Sequence, residues 1–170
     1  NSGEINADYC GFTIEKAGDL VIKADYTNSK VEEMENLQYS CDYGDIDIGE
    51  AKNIQGDGNY ININLGTLHG NVNIKSDYGN LKIKELAADA GNVQINSDYT
   101  GVKIGYHPDY HFNFEIKTEY GDVRGKEDFE INISNEKNTE KYYKGFYGSN
   151  NSGNNINIES EYGDVSFSKN

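Results

Sequence analysis

Chemistry on an acidic chain is easiest to find in its cations. Lys82, Lys103 and Arg124 each stand four residues after a tyrosine, and Lys84 and Lys126 stand two residues further on. Arg124 is the sole arginine. If these units stack on successive rungs, the five side chains form a small basic patch. Such a patch suits a uronate or other anionic glycan. It could bind one, or act as a polysaccharide lyase, in which a basic residue removes the proton α to a carboxylate. The same side chains can instead stay solvated and pair with Asp77, Asp98 and Glu119, each exposed pair being worth ~0–1 kcal/mol. Tyr106 and Tyr110 bracket His107-Pro108-Asp109 and lead to His111. That makes a semi-rigid aromatic loop, able to stack on sugar rings or to cover a core edge. The ligand-binding candidates are therefore Lys82, Lys84, Lys103, Arg124, Lys126, Tyr106 and Tyr110.

Other chemistry finds less support. His107 and His111 are four apart, but Pro108 opposes the helical turn that would aim both at one metal. His69, beside Gly70, reads as a turn residue. Ser, His and Asp occur without a Gly-x-Ser-x-Gly elbow. Gly56-Asp57-Gly58-Asn59 has the look of a calcium repeat but occurs once. No catalytic residue, metal or cofactor is expected.

The elements that must position these residues form a repeat. Tyrosines at 9, 26, 43, 60, 78, 99, 120 and 162 are separated by 17, 17, 17, 18, 21, 21 and 42 residues. Apolar residues recur six and four before nearly every tyrosine, with Gly56 the exception in the column four before, small ones two before, and apolar ones three and five after most of them. The alternation is that of a strand, broken at the tyrosine corner. Column agreement over nearly the whole chain is the mark of a repeat architecture. Each unit has room for two short strands and none for a helix. The fold predicted is all-β: a single right-handed parallel β-helix, or β-solenoid, of roughly 17–21 residues per coil. One domain spans 1–170, with 135–154 as an irregular hairpin or loop insertion. The aromatic hairpin Tyr142, Tyr143, Phe146 and Tyr147 is expected to pack over the C-terminal end, with a protruding partner-binding arm as the alternative.

Phase places the tyrosine ladder (Tyr9, Tyr26, Tyr43, Tyr60, Tyr78, Tyr99, Tyr120, Tyr162) inside as a structural stack, with an exposed strip for sugars as the rival arrangement. The residue before each tyrosine points outward: Asp8, Asp25, Asp42, Asp77, Asp98, Glu119 and Glu161, interrupted by Asn59. A local turn, in which the aspartate accepts the amide two residues on, is expected to hold this acidic corner. A bound cation, helped by Asp45, Asp122 and Asp164, is the alternative.

Net charge is −14, which excludes nucleic acid as an expected partner, since phosphate binding needs a basic footprint. It disfavours an anionic membrane surface for the same reason. Hydrophobic residues are 35% of the chain and mean hydropathy is −0.80, so only their strict alternation makes a core. No apolar run approaches the ~20 residues of a spanning helix. Cys10 and Cys41 lie on the first and third rungs, about two spacings of ~4.8 Å apart, and are expected to stay unpaired. The first residues already carry the repeat, as an excised or processed segment would.

The units Ser-Asp-Tyr-Gly-Asn-Leu-Lys-Ile (76–83), Ser-Asp-Tyr-Thr-Gly-Val-Lys-Ile (97–104) and Ser-Glu-Tyr-Gly-Asp-Val (160–165) resemble the adhesin-like family of bacterial β-helical domains of unknown function, akin to the head GIN domain. The resemblance covers nearly the whole chain and rests on structural motifs. It implies an extracytoplasmic protein of a Gram-negative bacterium, at the cell surface, outer membrane or periplasm. The function expected is a noncatalytic binding or structural module for a surface glycan or protein. The alternatives are a carbohydrate-active enzyme, a lyase or hydrolase built on a β-helix, and a scaffold within an envelope assembly.

Overall fold

The computed structural model describes residues 2–170 and contains strands, turns and no helix among them. Strand β1 is Ser2–Asp8 and β2 is Gly11–Leu68, a continuous run that carries three tyrosine corners. β3 (Val72–Leu86) and β4 (Val93–Tyr106) each carry one. β5 (Phe112–Glu119), β6 (Val123–Arg124), β9 (Asn155–Glu161) and β10 (Val165–Lys169) make the last two rungs. β7 (Glu130–Lys137) and β8 (Glu140–Tyr147) form a hairpin.

Pairing from β1 through β4 is parallel and keeps the columns in register: Ile5 with Ile22, Ile54 with Val72, Val72 with Val93. Stacking identical columns buries them as ladders. Leu20, Leu37, Ile54, Val72, Val93, Phe114 and Ile156 lie six before the tyrosine, and all are at most 5% exposed. Gly56, the one break in the column four before the tyrosine, has a physical cause. A Cβ there would fall on the ring of Tyr39, which fills that space from the preceding rung.

The rung order departs from the chain order. β9 lies between β4 and β5, parallel to both, and β10 lies between β4 and β6. Tyr162 is therefore stacked between Tyr99 and Tyr120, at 4.5 and 4.7 Å. The 42-residue interval marks a return of the chain into an earlier gap. The columns of the two neighbours are alike, so the sequence alone does not show which gap the last rung fills.

The hairpin occupies 130–147, earlier than the 135–154 expected. β8 runs antiparallel along β5, and Tyr143 is buried, so the hairpin packs against the solenoid as expected but covers β5 and not the C-terminal strands, which lie between earlier rungs. Asn138 turns it with φ 50°.

The tyrosine rings stand outside, contrary to the inward phase. Every ladder tyrosine has φ between 47° and 57°. The left-handed corner interrupts the alternation, so the ring swings out and the next residue turns in, as Thr27, Ile61 and Thr100 do. The left-handed φ belongs to the tyrosine; of the glycines directly after a ladder tyrosine only Gly44 has a positive φ, at 157°. Gly79 and Gly163 are needed for a different reason: a Cβ would collide with the carbonyl oxygens of Ile61 and Thr100 on the adjoining rung.

Candidate functional site

The basic patch is smaller than its sequence suggests. Lys82 and Lys103 are neighbours in one row, but Ser166 of β10 separates Lys103 from Arg124. Arg124 is held at 3.5 Å from Asp122 and 3.1 Å from Asp164. Lys141, and then Arg124, hold the Asp122 carboxyl below its ordinary range. Lys126 donates to the carbonyl of Val123 at 3.0 Å and lies 4.9 Å over the ring of Tyr143. Arg124 is exposed but paired with two carboxylates, and Lys126 is held by backbone and ring, which leaves Lys82, Lys84 and Lys103 as the cations of the patch without an ion-pair partner among the described residues. Lys82 and Lys84 border a groove of about 400 Å³ with Lys30, Asp47, Gly49 and Gly66.

Tyr106 and Tyr110 are 1% and 0% exposed and cannot meet a sugar. Tyr106 packs edge-on against Phe112 and Tyr147, and the Tyr110 hydroxyl donates to the carbonyl of Gly91 at 2.5 Å. The loop covers a core edge. Burial raises both phenols above their ordinary value, that of Tyr106 to about 12.

The exposed aromatic strip is the ladder itself. Neighbouring centroids are 4.5–4.9 Å apart and the planes agree within 4°. Each ring covers its neighbour's face, so solvent meets ring edges and hydroxyls. Sugars stack on faces, and the ring most open to solvent is Tyr9, at 79% exposed. Beside the strip, the acidic corner is not made by the local turn expected. Its hydrogen bonds run between rungs: Asn59 Nδ2 donates to Asp42 at 3.0 Å, and the amide of Asp122 to Asp164 at 2.9 Å. Lys75 is 4.0 Å from Asp77, and one oxygen of Asp98 is buried without a partner.

A further face, absent from the sequence expectations, lies before the tyrosine. Asparagines seven before it form a ladder. Asn36 Nδ2 donates to Asp19, Asn53 Nδ2 to Asn36, and the amides of Asn71, Asn92 and Asn155 donate to the side chains of Asn53, Asn71 and Asn92, all at 2.5–2.9 Å. Two residues along, Gln38, Gln55 and Asn73 form a second amide row. The two rows, with Leu20, Leu37 and Ile54 beneath, line an open groove of about 430 Å³ running across the rungs. The signal was present as Asn and Gln recurring at fixed offsets from the tyrosine.

Residues 1–168 match the family model of the Toastrack DUF4097 domain. The chain belongs to the Toastrack family. No curated protein and no solved structure matches it. The histidines of this Toastrack domain lie at its connections. His69 lies 2.7 Å from Asp89 and 3.3 Å from Glu50, tying two turns together. His107 Nδ1 accepts the amide of Asp109 at 3.1 Å, while His111 packs 6.2 Å from the ring of Tyr147, so the pair does not converge. Among the described residues no group of three or more His, Cys, Asp or Glu side chains is arranged to hold a metal ion. Among the described residues no helix is long and apolar enough to cross a membrane. Cys10 is exposed and Cys41 buried, both as free thiols, and burial pushes the Cys41 thiol up to about 11.

Proposed function

We propose that this Toastrack domain is a noncatalytic, extracytoplasmic binding module that holds an extended neutral glycan along its amide groove. The groove is the observation that carries this reading. Its asparagine ladder is already hydrogen-bonded along the axis, so that wall is rigid before any ligand arrives. Gln38, Gln55 and Asn73 present amides that both donate and accept, which suits a chain of hydroxyls. The preorganised asparagine wall loses little side-chain freedom on binding. The adhesin-like resemblance of the tyrosine units is what supports the extracytoplasmic placement in a bacterial envelope.

The test is a glycan array probed with the wild-type domain and with Gln38→Ala/Gln55→Ala/Asn73→Ala. The triple variant should lose at least tenfold in affinity for neutral polysaccharide with an unchanged melting temperature. Lys82→Ala/Lys84→Ala/Lys103→Ala should bind as wild type. A blank array, binding untouched by the amide substitutions, or turnover of any bound polysaccharide would each overturn the reading.

A further inference from the structure

The last rung is an insert. β9 fills the gap between β4 and β5, and the two walls of that gap match each other column for column. Ile95 and Ile116 both pair with Ile158, Ser97 and Thr118 both pair with Ser160, and Asp98 and Glu119 both pair with Glu161. The walls would therefore stack directly on one another, in register, without β9. β5 also precedes β9 in the chain, so the slot has both walls in the sequence before its occupant. What enters is specified by side chains as well as backbone. Tyr162 slides between two rings, Asp164 accepts the amide of Asp122, and Asn92 accepts the amide of Asn155 at 2.9 Å.

The tether is equally particular. β8 ends at Tyr147 and β9 begins at Asn155, with Gly-Ser-Asn-Asn-Ser-Gly-Asn between. Gly148 and Gly153 have φ of 71° and 84°. This segment passes from one side of β5 to the other, two strand spacings or ~9.6 Å, around the backbone of β5.

We propose that the slot between β4 and β5 is a strand-acceptor site whose second occupant is the β9–β10 segment of another copy of this chain. All contacts inside the slot are the same whichever copy supplies the strand, so exchange changes only the path of the tether. A short flexible tether gives an effective concentration of ~1 mM, so at ~10 µM chain about 1% of molecules are exchanged dimers. Removing Ser149–Gly153 leaves Gly148 and Asn154, a reach of at most ~11 Å for a crossing that must also round β5. Self-insertion then fails and exchange takes over.

The experiment uses the full chain with Cys10→Ser throughout. Asn96 and Glu159 are exposed Cα partners across β4 and β9. One batch carries Asn96→Cys and the other Glu159→Cys. The two are unfolded together, refolded at ~100 µM, and treated with a short bis-maleimide. At the ~1 mM tether value, about 10% of chains should appear as mixed cross-linked dimer, against none when folded chains are mixed. The Ser149–Gly153 deletion should be predominantly dimeric by light scattering at ~10 µM and should give the same mixed cross-link. A deletion variant that stays monomeric with unchanged melting overturns the proposal. So does a dimer without the mixed cross-link, which is end-to-end association. Should the deletion variant fail to fold, co-refolding of the undeleted chains decides alone, and no mixed cross-link there overturns it.

Discussion

At the scale of single residues, a left-handed corner decides what a tyrosine contributes. Tyr60 is half exposed and lies between Tyr43 at 4.9 Å and Tyr78 at 4.7 Å. Its removal opens no cavity but loses two stacking contacts, each worth about 0.5–1.5 kcal/mol. Tyr60→Ala is thus expected to lower stability by about 1–3 kcal/mol in urea unfolding. Tyr60→Gly should lose less, because glycine relieves the positive φ. A loss above ~3 kcal/mol, the cost of an emptied core site, would put the ring back inside. Tyr39 is the opposite case: it is 2% exposed, and its buried hydroxyl has no partner. Tyr39→Phe deletes that unsatisfied group and should raise the urea midpoint by the equivalent of about 1 kcal/mol. Burial also holds the Tyr39 phenol un-ionised far above its ordinary range. Above pH ~10 the unfolded chain releases that proton while the folded chain keeps it, so stability falls as pH rises. Urea midpoints at increasing pH from 9 to 11 should fall, and less steeply in Tyr39→Phe.

At the scale of elements, the rungs were legible because a strand core repeats its chemistry. The columns Ile22, Ile74, Ile95 and Ile158 announce themselves by spacing, and each is buried. Two things were not legible. A period-two count cannot be carried through a corner, because one residue in the left-handed region shifts the phase of all that follows. Alternation alone therefore puts the tyrosines inside and Thr100 outside, the reverse of the structure. Nor does a column say which neighbour it will meet. Ile158 fits beside Ile95 and Ile116 equally, so the basic row was drawn through Arg124 when Ser166 sits between. The glycines after the tyrosine carry information of a third kind, which is proximity of backbones. Gly79 lies against the carbonyl of Ile61 on the adjoining rung. Gly79→Ala must push the rungs apart and is expected to cost about 1–3 kcal/mol. Gly101→Ala, whose nearest neighbour at 3.4 Å is the end of the Asn80 side chain, should cost less. Thermal melts of the pair provide the check, and equal melting temperatures would contradict the close approach.

At the scale of the whole molecule, stacking turns every surface residue into a row along the axis. Where the row is asparagine, each amide donates to the next and the row is cohesive. Where it is carboxylate, neighbours ~4.8 Å apart repel by roughly 0.9 kcal/mol in water. The chain has both, under a net charge of −14. In the acidic row Asn59 is the interruption, donating to Asp42 and replacing one repulsion with a hydrogen bond. Asp98 has the reverse situation: its neighbours in the row are Asp77 and Glu161, and one of its oxygens is buried without a partner. Screening separates the two accounts of how the row is tolerated. The Debye length shrinks from ~30 Å at 0.01 M salt to ~8 Å at 0.15 M. If the row is held together against plain repulsion, sodium chloride should raise the melting temperature over that range. Calcium at matched ionic strength should then add nothing. Asp98→Asn should raise the melting temperature at 0.01 M salt, as Asn59 does by nature, and the gain should shrink at 0.15 M. If calcium alone produces a rise of many degrees and Asp98→Asn abolishes it, the row is a metal site and repulsion is the wrong account.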